Sequence, residues 1–155
     1  MLQDRNLGPV LLAEDDDDDF LLIQEAFAQL GLSHALQRVK DGEELLAYLS
    51  RQSAPPSLLL LDLNMPRKDG REVLREIRLD PRFHYLPVVA LTTSNNPDDV
   101  SLTYRMGANS FVHKPTRFGD LVQVVKTLLT YWFEIVELPG RRLTPAPQAN
   151  ARTNA

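Results

Sequence analysis

Short apolar runs alternate along the chain with longer stretches in which apolar residues recur every three or four positions. Runs of four or five residues without regular polar alternation are typical of strands buried on both faces of a parallel sheet. Only the second run has polar residues in its middle, Gln37 and Arg38, so we predict that it forms an edge strand. The five runs are Val10–Ala13, Ala35–Val39, Leu58–Leu61, Val88–Leu91 and Ser110–His113.

The stretches between the runs carry signals for the beginning or the end of a helix. Gly31 follows the first helical pattern and is typical of a left-handed stop. Asp41 and Glu44 form a capping box at the start of the second helix. Asn96 and Pro97 carry the cap and first-turn signature of the fourth helix.

Strand and helix alternate five times, which predicts right-handed crossovers and helices on both faces of a parallel sheet. With an edge-like second strand, the leading order is 2-1-3-4-5, a doubly wound α/β fold of five βα units. We expect this domain to span residues 9–130, after a lead of residues 1–8. Residues 140–155 show no periodicity and are predicted to be a disordered tail.

Polar residues that could carry chemistry follow four of the predicted strands. Glu14 and Asp15 follow the first strand, Asp62 the third, Thr92 the fourth and Lys114 the fifth. Because the carboxyl ends of parallel strands meet at one edge of the sheet, we expect these side chains to gather there. Clustered carboxylates raise one another's pKa unless a cation intervenes.

A divalent ion or the lysine could supply that cation. Oxygen-only ligation with few side chains suits Mg²⁺, which often leaves a position for a phosphate oxygen. A carboxylate beside such an ion, faced by Lys114 and the Thr92 hydroxyl, could attack a phosphoryl group and form an acyl phosphate. This hypothesis depends on the predicted strand order.

Composition narrows the alternatives. At 155 residues, with 43% hydrophobic and 25% charged residues, the chain suits one globular domain. The absence of cysteine excludes disulfides, thiolate chemistry and cysteine zinc sites. A net charge of −4 argues against a nucleic-acid partner. We expect a cytoplasmic protein without a membrane partner, since neither a membrane-length apolar stretch nor a signal-peptide pattern is found.

Four segments, in this order and each at a predicted strand end, resemble the response-regulator receiver family over roughly residues 9 to 130. The segments are LLAEDDDDD, LLLLDLNMPRKDG, LTTS and FVHKP. The resemblance implies a flavodoxin-like fold of the predicted order. It also implies an interaction module that a histidine kinase phosphorylates and that turns over no external substrate.

The same resemblance assigns the acceptor and the metal ligands. Asp62 is implied to be the phosphoacceptor and a ligand of Mg²⁺. Asp15 would bind the ion directly, and Glu14 would act through water. Asn64, two residues after the acceptor, would contribute its backbone carbonyl.

The remaining implied roles concern the switch. Thr92 would be the hydroxyl that draws toward the phosphoryl group, and Lys114 would pair with that group. The resemblance also implies a cis peptide at Lys114–Pro115. Phe111 holds the aromatic switch position, at which family members often have tyrosine. Without a hydroxyl its ring can change rotamer but cannot donate a hydrogen bond.

The segment at residues 131–139, YWFEIVELP, resembles the C-terminal arm of response regulators paired with phytochromes. In those proteins the arm helps to form a dimer. The partly strand-like alternation from Phe133 to Leu138 would permit such an arm. The implied partners are a sensor histidine kinase, with a bacteriophytochrome as the candidate, a second copy of the chain, and an unknown downstream protein.

Two alternatives stay open on the residues alone. The acids Asp17, Asp18 and Asp19 are interpreted as ordinary helix-start residues favoured by the helix dipole. A Mg²⁺-dependent phosphatase or phosphotransferase with an aspartate nucleophile would expect a second aspartate at position 64 and a cap over the site. The chain has Asn64 there and no spare length for a cap.

Overall fold

Five parallel strands form one sheet in the order β2-β1-β3-β4-β5, which confirms the predicted doubly wound topology. The computed structural model describes residues 8–52 and 54–139. Residues 1–7 of the lead predicted at residues 1–8, and the tail predicted at residues 140–155, lie outside this part of the chain. The strands are β1 Val10–Ala13, β2 Leu36–Val39, β3 Leu58–Leu61, β4 Val88–Thr92 and β5 Ser110–His113.

Helices cover both faces of the sheet, and their caps follow the sequence signals. The Asp41 carboxylate accepts the Glu44 N–H at 2.8 Å, and the Asn96 side chain accepts the Asp98 N–H at 2.9 Å. Gly31 has a φ of 73°, as a left-handed stop requires. The helices are α1 Asp17–Gln29, α2 Gly42–Arg51, α3 Gly70–Leu79, α4 Pro97–Arg105 and α5 Phe118–Thr130.

The core consists of two apolar layers, one on each face of the sheet. Every residue of β1, β3 and β4 is buried, as their uninterrupted apolar runs predicted. Alternate residues of one strand point to opposite faces, so Leu11 joins the layer with α2 and α3 while Leu12 joins the layer with α1 and α5. Gln37 is exposed on β2, which is an edge strand as predicted.

The C-terminal segment differs from its predicted strand-like form. Residues Tyr131–Ile135 continue α5 as a π-helix. The reason is packing: Phe133 is buried in the α1–α5 layer, and a helical path places it there whereas an extended arm would remove it. The cis peptide predicted at Lys114–Pro115 was also wrong. No peptide bond among the described residues is cis.

Gly70 fixes how closely α3 approaches the strand-end loop that carries Asp62. The Gly70 N–H donates to the Leu63 carbonyl at 3.0 Å. A Cβ at this position would lie 2.6 Å from the Asp62 carbonyl oxygen and 2.7 Å from the Leu63 Cα. Both of these are backbone atoms, so no side chain could rotate away to relieve the clash. The first residue of α3 must therefore be glycine if the helix is to pack here.

We expect Gly70→Ala to lower the free energy of unfolding by about 1–3 kcal/mol, the usual cost of overpacking. Gly119→Ala is the matched control, because its Cβ would meet nothing within 4 Å in the first turn of α5. That control should be neutral or more stable by up to about 1 kcal/mol. Urea unfolding of both variants measures the difference, and equal stabilities would contradict the tight approach.

Candidate functional site

The polar residues predicted to gather at the strand ends do meet there. Ala13 and Leu61 are register partners at the ends of β1 and β3, so Glu14 and Asp62 leave the sheet side by side. The Asp62 N–H donates to the Ala13 carbonyl at 3.0 Å, and the Lys114 N–H donates to the Thr92 carbonyl at 2.8 Å. Backbone hydrogen bonds between β1 and β3, and between β4 and β5, therefore position these residues at one edge of the sheet.

Three carboxylates form the acidic part of the site. Glu14, Asp15 and Asp62 each offer a carboxylate oxygen within 4.8 Å of the others. Glu14 is 1% and Asp62 7% exposed, whereas Asp15 faces solvent. Burial raises the pKa of Glu14 to about 7; the charge on Asp62 adds to that rise, and the hydrogen bond from Lys114 opposes it.

Lys114 is the cation of this cluster, and its side chain is only 6% exposed. Its ammonium donates to a Glu14 carboxylate oxygen, to Asp19 Oδ2 at 3.1 Å and to Asp62 Oδ2 at 3.4 Å. Burial by itself would lower the pKa of Lys114, but these carboxylates raise it above its usual value, so the ammonium stays charged. One positive charge among several carboxylates leaves an excess of negative charge.

That excess, together with an all-oxygen donor set, fits a divalent cation such as Mg²⁺. The Thr92 hydroxyl adds a second indication that the site takes an additional group. Thr92 is completely buried, and among the described residues its Oγ1 has no hydrogen-bond partner. A buried hydroxyl without a protein partner is rare in native proteins, so the Thr92 hydroxyl is available to a group bound at the site.

Two residues of the site were not identified from the sequence. Asp19 was interpreted as a helix-start acid, but its carboxylate contacts Lys114. Arg38, on the edge strand β2, donates through Nε to the Glu14 carbonyl at 2.9 Å and pairs with Asp17 at 2.9 Å. Its guanidinium also lies over the Phe20 ring, 4.4 Å from the centroid. The one available signal was the charge of Arg38 in the middle of a short strand, next to the polar Gln37.

Asn64 and Phe111 lie at the margin of the site. The Asn64 N–H donates to Asp62 Oδ1 at 3.1 Å, which orients the Asp62 carboxylate. Phe111 is half-buried, and its ring meets the His113 ring edge to face at 5.5 Å. Its backbone N–H donates to the Tyr104 hydroxyl at 3.2 Å, which joins the start of β5 to α4.

A polar contact ties the loop after Thr92 to α3. The Ser94 hydroxyl donates to Asp99 Oδ2 at 2.5 Å, and Arg71 Nη2 lies 2.9 Å from the same oxygen. The Ser94 hydrogen bond and then the Arg71 contacts hold the pKa of Asp99 below its usual value. The loop after Thr92 is therefore joined through Asp99 to the first turn of α4 and to α3.

A comparison with known protein families agrees with this fold and this arrangement of residues. The response regulator receiver domain family matches residues 10–126. The chain therefore belongs to the response regulator receiver family. Among the described residues, no helix is long and apolar enough to cross a membrane.

Several relatives are response regulators of phytochrome systems. The chain is 42% identical to the response regulator Rcp1 of Synechocystis sp. over 136 residues, 84% of this chain and 92% of Rcp1. The Mn²⁺-bound form of Rcp1 superposes with a TM-score of 0.76 at 41% identity, over 85% of this chain and 99% of that one.

Two further solved structures are similar. The phosphorylated cyanobacterial phytochrome response regulator RcpA has a TM-score of 0.79 at 40% identity, over 86% of this chain and 99% of its own. RPA3017, which acts in red light signaling of R. palustris, has a TM-score of 0.80 at 37% identity, over 87% of this chain and 100% of its own.

We expect Mg²⁺ or Mn²⁺ to raise the melting temperature of the protein. A ligand at about ten times its dissociation constant stabilises the folded state by about 1.4 kcal/mol. Asp15→Asn should abolish most of the shift because it removes the exposed carboxylate of the cluster. Asp18→Asn removes the same charge from α1 outside the cluster and should keep the shift. Scanning calorimetry with and without MgCl₂ measures both, and equal shifts in the two variants would contradict a metal site at Asp15.

Proposed function

We propose that this response regulator accepts a phosphoryl group on Asp62 from a sensor histidine kinase, with Mg²⁺, and thereby changes its protein contacts. The observation that carries the proposal is the contact between Asp62 and Lys114 at the strand ends, beside a strand β4 that ends in the buried hydroxyl of Thr92, which has no hydrogen-bond partner among the described residues. Two relatives support it: RcpA has been solved in a phosphorylated form, and Rcp1 in a form with bound Mn²⁺.

Asp62 is the nucleophile. The Asn64 N–H holds Oδ1, and Oδ2 faces Lys114. A carboxylate oxygen attacks phosphorus in line, the oxygen–phosphorus bond forms, and the bond from phosphorus to the donor breaks. With a phosphohistidine donor, the electron pair of that bond returns to the imidazole nitrogen, which takes a proton.

The surrounding residues stabilise the charge of the transferred group. Lys114 is already charged and turns an N–H toward a phosphoryl oxygen. Asp15, Asp62 and the Asn64 carbonyl would hold Mg²⁺ directly, with Glu14 acting through water, and the bound ion would neutralise charge on the phosphoryl oxygens. Thr92 would donate its unpartnered hydroxyl to another of those oxygens.

The step at Thr92 provides the switch. If its hydroxyl moves toward the phosphoryl group, the loop that carries Ser94 moves with it, and the Asp99 contact transmits the shift to α4. The Tyr104 hydroxyl, which accepts the Phe111 N–H, links α4 to β5. We therefore place the phosphorylation-dependent surface on α4, β5 and α5, with Phe111 as the aromatic switch residue.

The partners are a sensor histidine kinase, a second copy of this chain and a downstream protein in the cytoplasm. The phytochrome relatives favour a bacteriophytochrome as the kinase and light as the stimulus. The segment after α5 presents Tyr131 and Ile135 to solvent, 47% and 67% exposed, while Phe133 anchors the segment in the core. Exposed apolar residues on an anchored helix suit a contact between two copies.

Incubation with acetyl phosphate and Mg²⁺ should yield a single phosphoryl adduct, detected by intact-protein mass. The adduct should need Mg²⁺, be cleaved by hydroxylamine as an acyl phosphate, and be absent from Asp62→Asn. Asp69→Asn is the matched control, because Asp69 lies in the same loop between β3 and α3, where it is the N-cap residue of α3. Steady phosphate release without an adduct at Asp62 would instead support the phosphatase alternative.

We expect the wild-type protein to be a dimer and Ile135→Glu to raise its dissociation constant by at least about tenfold, because a charge would be buried at the contact. Leu79→Glu makes the same change at a 73% exposed leucine at the end of α3 and should leave the dimer intact. Light scattering before and after phosphorylation measures both. A monomeric wild type, or a dimer indifferent to Ile135→Glu, would contradict this part of the proposal.

A further inference from the structure

Lys114 has a carboxylate partner that lies outside the acidic cluster. Its three acceptors are Glu14, Asp62 and Asp19. The first two follow β1 and β3 and belong to the group of carboxylates that could hold a metal ion. Asp19 instead comes from the first turn of α1 and is not a member of that group. The three acceptors therefore differ in whether they would take part in binding a metal ion or a phosphoryl group.

Loading the site engages Glu14 and Asp62 but not Asp19. On the proposed function, a divalent ion would be held by Asp62 and, through water, by Glu14, and phosphorylation converts one Asp62 oxygen into the bridging atom of an acyl phosphate. The ion and the phosphoryl group then compete with Lys114 for the Glu14 and Asp62 oxygens. The Asp19 carboxylate, 3.1 Å from Nζ in the present structure, takes part in neither step.

The backbone of Asp19 is fixed by the cap at the start of α1. The Asp19 N–H donates to the Oδ1 of Asp16, the N-cap residue of α1, at 2.9 Å. Among the described residues, Lys114 is the cation within ion-pair distance of the Asp19 carboxylate. The contact thus joins the end of β5 to the start of α1. On the proposed function, the phosphoryl group binds at the strand ends that lie between them.

We propose that Asp19 is a positioning residue that holds the Lys114 ammonium toward the phosphoacceptor. An ammonium has three N–H donors. One directed at Asp19 restrains the flexible lysine stem and leaves two for Asp62 and the phosphoryl oxygens. This inference rests on the proposed phosphorylation of Asp62, and it assigns Asp19 a role in orienting Lys114 rather than in binding the metal ion.

The chain supplies a matched control at the adjacent residue. Asp18 lies in the same first turn of α1, is exposed and carries the same charge. Asp18→Asn and Asp19→Asn therefore remove equal charge from the helix terminus and from the surroundings of the site. Only Asp19→Asn removes the partner of Lys114, so a difference between the two variants isolates the contact.

The first measurement needs neither metal nor phosphate. In ¹⁵N-labelled, metal-free protein, the Lys114 ammonium resonance is assigned from its loss in Lys114→Arg, and the exchange of its protons with water is measured. Asp19→Asn should speed this exchange and shift the resonance, Asp18→Asn should leave both unchanged, and Asp19→Glu should restore slow exchange. Unchanged exchange in Asp19→Asn would overturn the inference.

The second measurement tests the role in phosphorylation. With phosphoramidate at saturating Mg²⁺, Asp19→Asn should react about tenfold more slowly than wild type, the scale on which loss of an orienting partner acts. The Mg²⁺ affinity, measured by calorimetry, should stay within about twofold, since Asp19 is not a ligand. Asp18→Asn should match wild type in both, and Asp19→Glu should regain most of the rate.

The outcomes separate the two proposals. A wild-type protein that forms no adduct overturns the phosphorylation of Asp62 itself. A wild type that is phosphorylated while Asp19→Asn reacts at the same rate overturns only the role of Asp19. Equal slowing in Asp18→Asn and Asp19→Asn would assign the effect to general charge and would also overturn it.

Discussion

The balance of charge around Lys114 is the constraint on which the rest of this structure depends. A parallel sheet brings Glu14 and Asp62 together at the ends of adjacent strands, and their burial would be unfavourable without a cation. The buried ammonium meets that need in the resting protein but does not neutralise every carboxylate. The remaining negative charge favours a divalent ion, as the proposed phosphorylation of Asp62 requires.

Close packing around the cluster gives this charge balance a defined geometry. Gly70 lets α3 rest directly on the backbone of the loop that carries Asp62, and Arg38 fastens the loop after β1 from the edge strand. Asp19 reaches the lysine from the start of α1. The site is thus assembled from four strand ends, the edge strand β2 and two helix termini.

The same packing explains how a local change of charge could reach the surface. Thr92 lies between the cluster and a loop whose polar contacts, through Ser94 and Asp99, join α3 to α4. Its unpartnered hydroxyl is a favourable place for a new hydrogen bond, since a buried donor gains most when it acquires a partner. The Tyr104 hydroxyl in turn connects α4 to the backbone of Phe111 on β5.

The sequence by itself determined the strands, the strand order and the meeting of Glu14, Asp15, Asp62, Thr92 and Lys114, because buried strands and helix caps leave local patterns and parallel strand ends share one edge. Only the tertiary structure decided that Asp19 pairs with Lys114 and that Arg38 holds the loop after β1, since the partner of a charge depends on residues distant in the chain. The tertiary structure also decided the conformation of the segment that follows α5. Alternating residues predicted a partly extended arm, but burial of Phe133 against α1 outweighed that weak local preference and kept the segment helical.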